Sequence, residues 1–334
     1  MKPGKVSAVV PRPLDDDFDL AADSEDVLGL LDVHVVEDPA SGQPALDEAE
    51  ILITGIGTQT ASANDLARAM PRLRWIHSMT AGIEDLLSHD LLERRILVTN
   101  GAGAYATAIA EYAFAAMVML CRRIPELAVA HERHRWLESH LLGWELAGKR
   151  VGIVGYGGIG RALARLCAGA GMTVWGLRRK HAEEDEEGPA ERVLEPGQLP
   201  ELLAASDFVV LAASLNPSSR GLLGPAQFEA LKPGAFLVNV SRGALVDEAA
   251  LTSALTAGRL GGVMLDVTAL EPLPETSELW RLPNLWTTPH IAGGTHESRR
   301  RALLVLLTNV RHYLAGRLED MVNVVDLPHE LGHQ

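Results

Sequence analysis

Cysteine is almost absent from this 334-residue chain: Cys121 and Cys167 are the only two. That pair forms no disulfide framework and matches no zinc-ligand spacing, so a reducing compartment, the cytoplasm, is expected. Aromatic residues are also scarce, 4% against 47% hydrophobic overall, and the cores must therefore be packed mainly by Leu, Ala and Val. The longest apolar stretch, Ala113 to Cys121, is far too short to span a bilayer. The opening residues Met1-Lys2-Pro3-Gly4-Lys5-Val6 hold no apolar run, and no secretory signal is expected. Positive charge is in deficit, with 30 basic residues against 44 acidic ones and a net charge of −14. This excludes a general nucleic-acid binder, which needs a basic face. It also makes any local cluster of cations informative.

What the chain does have is short β-rich runs alternating with helical patterns from end to end, the mark of α/β architecture with parallel sheets. In the N-terminal part the strand candidates are Val6–Val10, Val33–Val36, Ile51–Thr54, Trp75–Ser78 and Ile96–Thr99. A helix is predicted over Asn64–Met70, stopped by Pro71, and a strongly apolar one over Ala104–Ile124, with a polar His- and Arg-rich segment running on to Trp144. A second series of strands follows: Val151–Val154, Thr173–Leu177, Phe208–Leu211, Phe236–Val240, Val263–Asp266 and Trp286–Thr288, and Glu297–Leu314 closes the chain as an amphipathic helix. Length and the double series together predict two domains facing each other across a cleft. The acidic run Glu183 to Glu187 reads as a solvated loop.

The second series opens with Val151-Gly152-Ile153-Val154, then Gly155-Tyr156-Gly157-Gly158-Ile159-Gly160, then the helical pattern from Arg161 to Leu166. Glycines alone punctuate many turns, but this strand–loop–helix order is what dinucleotide binding requires. Gly155 permits the tight turn, Gly157 lets the backbone approach a pyrophosphate, and Gly160 lets helix and strand pack closely. The anion would sit on the N–H groups and dipole of the helix start.

The end of the next strand discriminates between the nicotinamides. NAD sites usually place Asp or Glu there for the ribose 2′-hydroxyl. This chain reads Leu177-Arg178-Arg179-Lys180. A basic turn after a strand is common. In a chain of net charge −14, at the ribose position, three cations suit the extra phosphate of NADP. The sequence favours NADP, leaves NAD open, and makes Arg178 the foremost candidate.

Three later segments carry polar residues where strands should end: Asn239-Val240-Ser241-Arg242-Gly243, Leu265-Asp266-Val267 with Glu271-Pro272, and Thr288-Pro289-His290. Taken with the glycine loop and the preceding Leu146-Ala147-Gly148-Lys149, they make the chain, from about Trp75 to Val325, resemble the D-isomer-specific 2-hydroxyacid dehydrogenases. The resemblance implies a Rossmann-type nucleotide-binding domain over 102–290 and a discontinuous, flavodoxin-like substrate domain over 1–101 and 291–334, both doubly wound parallel sheets. It implies a catalytic triad of Arg242, Glu271 and His290. The chemistry of each suits the role: imidazole titrates near neutrality and can protonate a carbonyl oxygen, a carboxylate on its other nitrogen fixes the ring and favours imidazolium, and a guanidinium binds a carboxylate and polarises a carbonyl. The resemblance further implies cofactor contacts from Ser241, His290 and Asp266, the last to the nicotinamide carboxamide. It implies substrate contacts from Thr80, Ala81, Gly82 and Ile83 in the loop Ser78 to Glu84 and from Arg242, a hinge at Asn100 to Tyr105, and a homodimer formed around the apolar helix. The expected reaction is NAD(P)H-linked interconversion of small 2-oxo acids and D-2-hydroxy acids, of the glyoxylate or hydroxypyruvate reductase kind.

Some residues and rivals are set aside. His131-Glu132-Arg133-His134 lacks the i, i+4 histidine spacing of zinc proteases and reads as a solvated helix face, so no metal is expected. His77 and His296 stand close enough to motifs to line a cleft, as do Trp280 and Trp286, with Gly55-Ile56-Gly57 as a further substrate-facing stretch. Formate dehydrogenases carry Gln where Glu271 stands, and phosphite dehydrogenases use a lysine that the stretch from Ser78 to Ile83 lacks. A phosphoglycerate-type dehydrogenase stays open as an alternative. So does a cofactor-sensing binding protein resembling the C-terminal-binding corepressors, against which the Arg178 cluster argues mildly.

Overall fold

In the computed structural model of the chain, the structure describes residues 6–10, 29, 31–36, 38, 40, 42–55, 61–83, 86–137, 142–179 and 188–331. Lys180, Glu84, Ile56, Gly57, His140 and the acidic run Glu183 to Glu187 lie outside the described residues. The chain divides into two compact units, Met1–Tyr105 with Thr295–Gln334, and Ala106–Gly294. These crossovers fall a little beyond residues 101 and 290. Gly101 and Tyr105 are tied to the first unit through Thr80 O and Met79 O, at 3.0 and 2.8 Å. Ile291 and Ala292 donate to the Asp266 carboxylate of the second.

The strands of the first unit are β1 (Val6–Val10), β2 (Leu31–Val35), β3 (Ile51–Thr54), β4 (Trp75–Ser78) and β5 (Leu97–Asn100), all parallel, in the order β2-β1-β3-β4-β5. This is the flavodoxin-like doubly wound order. The second unit holds β6 (Arg150–Val154), β7 (Thr173–Leu177), β8 (Arg192–Leu194), β9 (Phe208–Leu211), β10 (Ala235–Asn239), β11 (Leu260–Leu265) and β12 (Leu285–Thr287), again all parallel, ordered β12-β11-β10-β9-β6-β7-β8. The winding direction reverses between β6 and β9, the place where open α/β sheets bind ligands.

Each sheet is covered on both faces, which is why its strands read as unbroken apolar runs. In β9, Val209 and Leu211 enter one core while Phe208 and Val210 enter the other. The same alternation sends Ile51 and Ile53 of β3 one way and Leu52 the other. Phe208 stacks on Phe236 with ring centroids 4.9 Å apart, joining β9 to β10.

Several elements differ from their sequence-predicted form. The apolar helix is two helices, Ala106–Cys121 and Ile124–Glu132. Arg123 between them takes a left-handed φ of 55°, and Pro125 sits in the first turn of the second helix, where its missing N–H is harmless. The helix predicted over Asn64–Met70 spans Ala61–Ala69; Met70 is excluded because a residue before proline avoids helical geometry. Strand β8 was not expected: three residues including an arginine carry no pattern of their own, and pairing to β7 defines it. His77 does not line a surface. It is buried in β4 with Nδ1 2.8 Å from Thr99 Oγ1, and burial pulls its imidazole down to about 3. No helix among the described residues is long and apolar enough to cross a membrane.

Candidate active site

The glycine loop lies at the sheet's reversal point. The N–H groups of Gly155 and Tyr156 donate to Leu177 O at 2.9 and 3.0 Å, which binds the loop to the end of β7. Gly155 has φ 101°, and a Cβ there would strike the backbone of Ala212 and Ala213. A Cβ at Gly160 would strike Gly155 O, so helix and turn meet backbone to backbone. Gly157 differs: it caps the helix Gly158–Gly169, and nothing lies within 4 Å of where its Cβ would be. The loop is thus packed tightly beneath and open above, beside the N–H groups of a long helix. Tyr156 is buried with its ring against Gly176, Ile159 is half-buried, and Gly157 and Gly158 are exposed. These residues fit a dinucleotide cofactor.

Arg178 follows the residue whose carbonyl anchors the glycine loop, and its own N–H donates to Leu194 O at 3.0 Å. Arg178 is half-buried and Arg179 exposed at this corner. Among the described residues, the strand end is followed by Arg178 and Arg179, with no carboxylate at either position.

Three strand ends carry the polar machinery. β10 closes on Asn239, fully buried, whose Nδ2 donates to Arg242 O at 2.9 Å and whose Oδ1 accepts the Ser241 N–H at 3.1 Å. These two bonds fold the backbone that presents Arg242. Its guanidinium donates to Ser241 O at 2.7 Å, and the Ser241 hydroxyl donates to Ala213 O at 2.7 Å. A Cβ on Gly243 would strike the carbonyl of Thr268 and the N–H of Ala269. Glycine there lets the Arg242 loop lie directly on the segment leading to Glu271.

Glu271 engages donors with both oxygens: Oε1 accepts the Thr268 N–H at 3.0 Å, and Oε2 lies 2.8 Å from His290 Nδ1. Glu248 Oε1 accepts the neighbouring Ala269 N–H at 2.7 Å. With Nδ1 held by a carboxylate, His290 presents Nε2 outward; its side chain is 50% exposed. His290 also has a left-handed φ of 54°, rare outside glycine. Asp266, only 2% exposed, accepts from Thr288 Oγ1 (2.7 Å), Ile291 N (3.0 Å) and Ala292 N (2.9 Å), while its backbone O takes the His290 N–H at 2.8 Å.

The loop after β4 belongs to the first unit. Its carbonyls are all turned inward: Met79 O accepts from Tyr105 Oη, Thr80 O from Gly101 N, Ala81 O from Asn100 Nδ2 and Gly82 O from Thr80 Oγ1, at 2.8–3.0 Å. Among the described residues, the N–H groups of Thr80, Ala81, Gly82 and Ile83 have no acceptor. Successive amides freed in this way suit an anion.

The structure therefore joins Glu271 to His290, lays the Arg242 loop against Thr268 and Ala269, and sets Arg178 beside the glycine loop. Ser241 and Asp266 are both committed to internal bonds. Trp286 lines a cavity with Leu120 and Trp144, and Trp280 donates to Pro274 O at 2.9 Å. Asn239, Thr268 and Thr288 stood within the segments read from sequence but had no role assigned there, and Tyr112 was not singled out. Tyr112, a phenol inside an apolar helix, was the one with a readable signal.

Known proteins resemble this chain in sequence and in fold. Residues 114–292 match the family model described as D-isomer specific 2-hydroxyacid dehydrogenase, NAD binding domain. The chain is 32% identical over 321 residues to glyoxylate/hydroxypyruvate reductase B of Pectobacterium carotovorum subsp. carotovorum, covering 95% of this chain and 97% of that one. It is 34% identical to glyoxylate reductase of Thermococcus litoralis over 76% of this chain and 78% of that one. The crystal structure of a D-isomer specific 2-hydroxyacid dehydrogenase from Xanthobacter autotrophicus Py2, in complex with NADPH and MES, superimposes with a TM-score of 0.77 at 28% identity, covering 98% of this chain and 99% of that one. The chain belongs to the D-isomer specific 2-hydroxyacid dehydrogenase family.

Proposed function

We propose that the protein reduces small 2-oxo acids to D-2-hydroxy acids, with NADPH as the preferred reductant and NADH as the weaker one. The observation that carries this reading is the His290–Glu271 pair, with Nδ1 2.8 Å from a carboxylate whose other oxygen is itself held. Such a ring is fixed in orientation, which suits Nε2 to protonate a carbonyl oxygen. A bound nicotinamide would supply the hydride for the carbonyl carbon. In the oxidative direction His290 accepts the hydroxyl proton. Arg242 is assigned to the substrate carboxylate and to polarising its carbonyl. The free N–H groups of Thr80, Ala81, Gly82 and Ile83 are suited to a carboxylate in the same chemical sense.

Gly155 to Gly160 are assigned to the pyrophosphate, with Ser241 bracing the loop's underside through Ala213. Arg178, Arg179 and Lys180 are assigned to the 2′-phosphate of NADP, a reading supported by the position of Arg178 and by the NADPH bound to the Xanthobacter relative. A contact from Asp266 to the nicotinamide carboxamide would draw on the second lone pair of Oδ2, which has one protein donor. Small 2-oxo acids without a charged side chain, such as glyoxylate and hydroxypyruvate, named for the relatives, suit a chain in which His77 is buried and neutral.

The proposed assembly is a homodimer. It is supported by exposed apolar side chains on the second unit, Trp136 at 96% among them, and by a cavity of about 250 Å³ that Leu120, Leu142, Trp144 and Trp286 help to line. The cytoplasm suits the two free, buried cysteines. Steady-state turnover on glyoxylate, hydroxypyruvate and pyruvate with each nicotinamide tests the function. Turnover with NADPH exceeding that with NADH is the expected result. Tight cofactor binding without turnover on any 2-oxo acid would favour a binding protein instead.

A further inference from the structure

Three hydroxyl and carboxylate groups from distant parts of the second unit form a chain that ends on the His290 loop. Tyr112 Oη, on the helix Ala106–Cys121, donates to Thr288 Oγ1 at 2.6 Å, and Thr288 Oγ1 donates to Asp266 Oδ1 at 2.7 Å. The polarity is forced. An ionised carboxylate only accepts, so the single Thr288 proton goes to Asp266, and Tyr112 must supply its own to Thr288. Burial pushes the Tyr112 phenol up, and the Asp266 charge adds to this against the opposing Thr288 bond, so the donor end keeps its proton.

We propose that Tyr112, Thr288 and Asp266 are positioning residues that hold His290 in its left-handed backbone conformation and so aim its imidazole. The loop needs such a clamp. A non-glycine residue at φ 54° is held against the steric cost of the left-handed region. Directly opposing it are the bonds from His290 N to Asp266 O and from Ile291 N and Ala292 N to the two carboxylate oxygens. Asp266 also donates its own N–H to Asn239 O at 2.9 Å, so one residue joins the Arg242 strand end to the His290 loop. The site reads a carboxylate and rejects its amide. In Asp266→Asn, either orientation turns the NH₂ group toward the N–H of Ile291 or of Ala292, two donors facing each other.

The kinetic part of this inference rests on His290 being the proton donor; the conformational part does not. The test uses the full-length protein as Thr288→Val and Thr288→Ser, with Tyr112→Phe as a milder cut and Asp266→Asn as a severe one. Amide hydrogen exchange of the cofactor-free protein reads the loop, and kcat and KM read the reaction. Thr288→Val should speed exchange at His290, Ile291 and Ala292 while β10 and β11 stay protected. It should lower kcat about ten- to a hundred-fold with both KM values little changed. Thr288→Ser, which keeps the hydroxyl, should restore both. Wild-type exchange in Thr288→Val, or exchange that rises throughout the unit, would overturn the clamp. Fast loop exchange with unchanged kcat, in an enzyme that His290→Ala does not impair, would instead overturn the proton-donor reading and leave the clamp standing.

Discussion

Glu271 Oε2 lies 2.8 Å from His290 Nδ1, and the carboxylate cannot turn without also releasing the Thr268 N–H from Oε1. The pair is well exposed, 50% and 38% for the two side chains. At that exposure an ion pair contributes roughly 0–1 kcal/mol to stability. Its value is orientation: it selects the nitrogen that faces out.

His290→Ala should therefore lower kcat by about 10²–10⁴-fold and leave the unfolding midpoint and NADPH affinity close to wild type. Glu271→Gln presents an NH₂ to either His290 or Thr268 and should cost about ten- to a hundred-fold in kcat. Steady-state kinetics with fluorescence titration of NADPH checks both. Equal loss of cofactor affinity and turnover would make His290 a structural residue.

Two glycines should separate packing from binding. Gly243→Ala drives a Cβ into the Thr268 carbonyl, and overpacking of this kind destabilises by about 1–3 kcal/mol. Gly157→Ala meets nothing within 4 Å, so its urea midpoint should stay near wild type while cofactor binding weakens. Denaturation curves paired with cofactor titration read both. A Gly157→Ala protein that binds NADPH normally would remove the pyrophosphate from this loop.

Much of this was legible in the sequence, for a physical reason. Strands buried on both faces, such as Phe208–Leu211, must be almost wholly apolar, and the glycine loop must follow β6. The proposed triad was implied by the family resemblance that the ordered motifs carry. The bonds that arrange it were not readable. Tyr112 meets Thr288 across 176 residues of sequence, and Asp266 meets both Asn239 and His290 only because β10, β11 and β12 are sheet neighbours. Edge strand β8 and the break at Arg123 likewise depend on surroundings rather than on their own pattern.

Arg178→Asp should raise the NADPH Kd or KM while leaving NADH nearly unchanged. A charge-assisted hydrogen bond is worth about 1.5–3 kcal/mol, so the cofactor ratio should shift about ten- to a hundred-fold. An unchanged ratio would sink the NADP assignment.

The His77 imidazole, pulled by burial from 6.5 to about 3, makes stability pH-dependent. The unfolded chain takes up the proton first, so this contribution is fully present above about pH 6.5 and is lost as pH falls below it, by up to about 1.4 kcal/mol per unit. Urea midpoints at about pH 7 and pH 5 should fall more for wild type than for His77→Asn. An equal fall would mean that His77 is not the titrating group.

The proposed reaction is reduction of a 2-oxo acid with D stereochemistry. The most direct measurement is chiral chromatography of the glycerate formed from hydroxypyruvate and NADPH. D-glycerate as the sole enantiomer, formed in step with NADPH oxidation, is the predicted result; L-glycerate, a racemate or no product would contradict it.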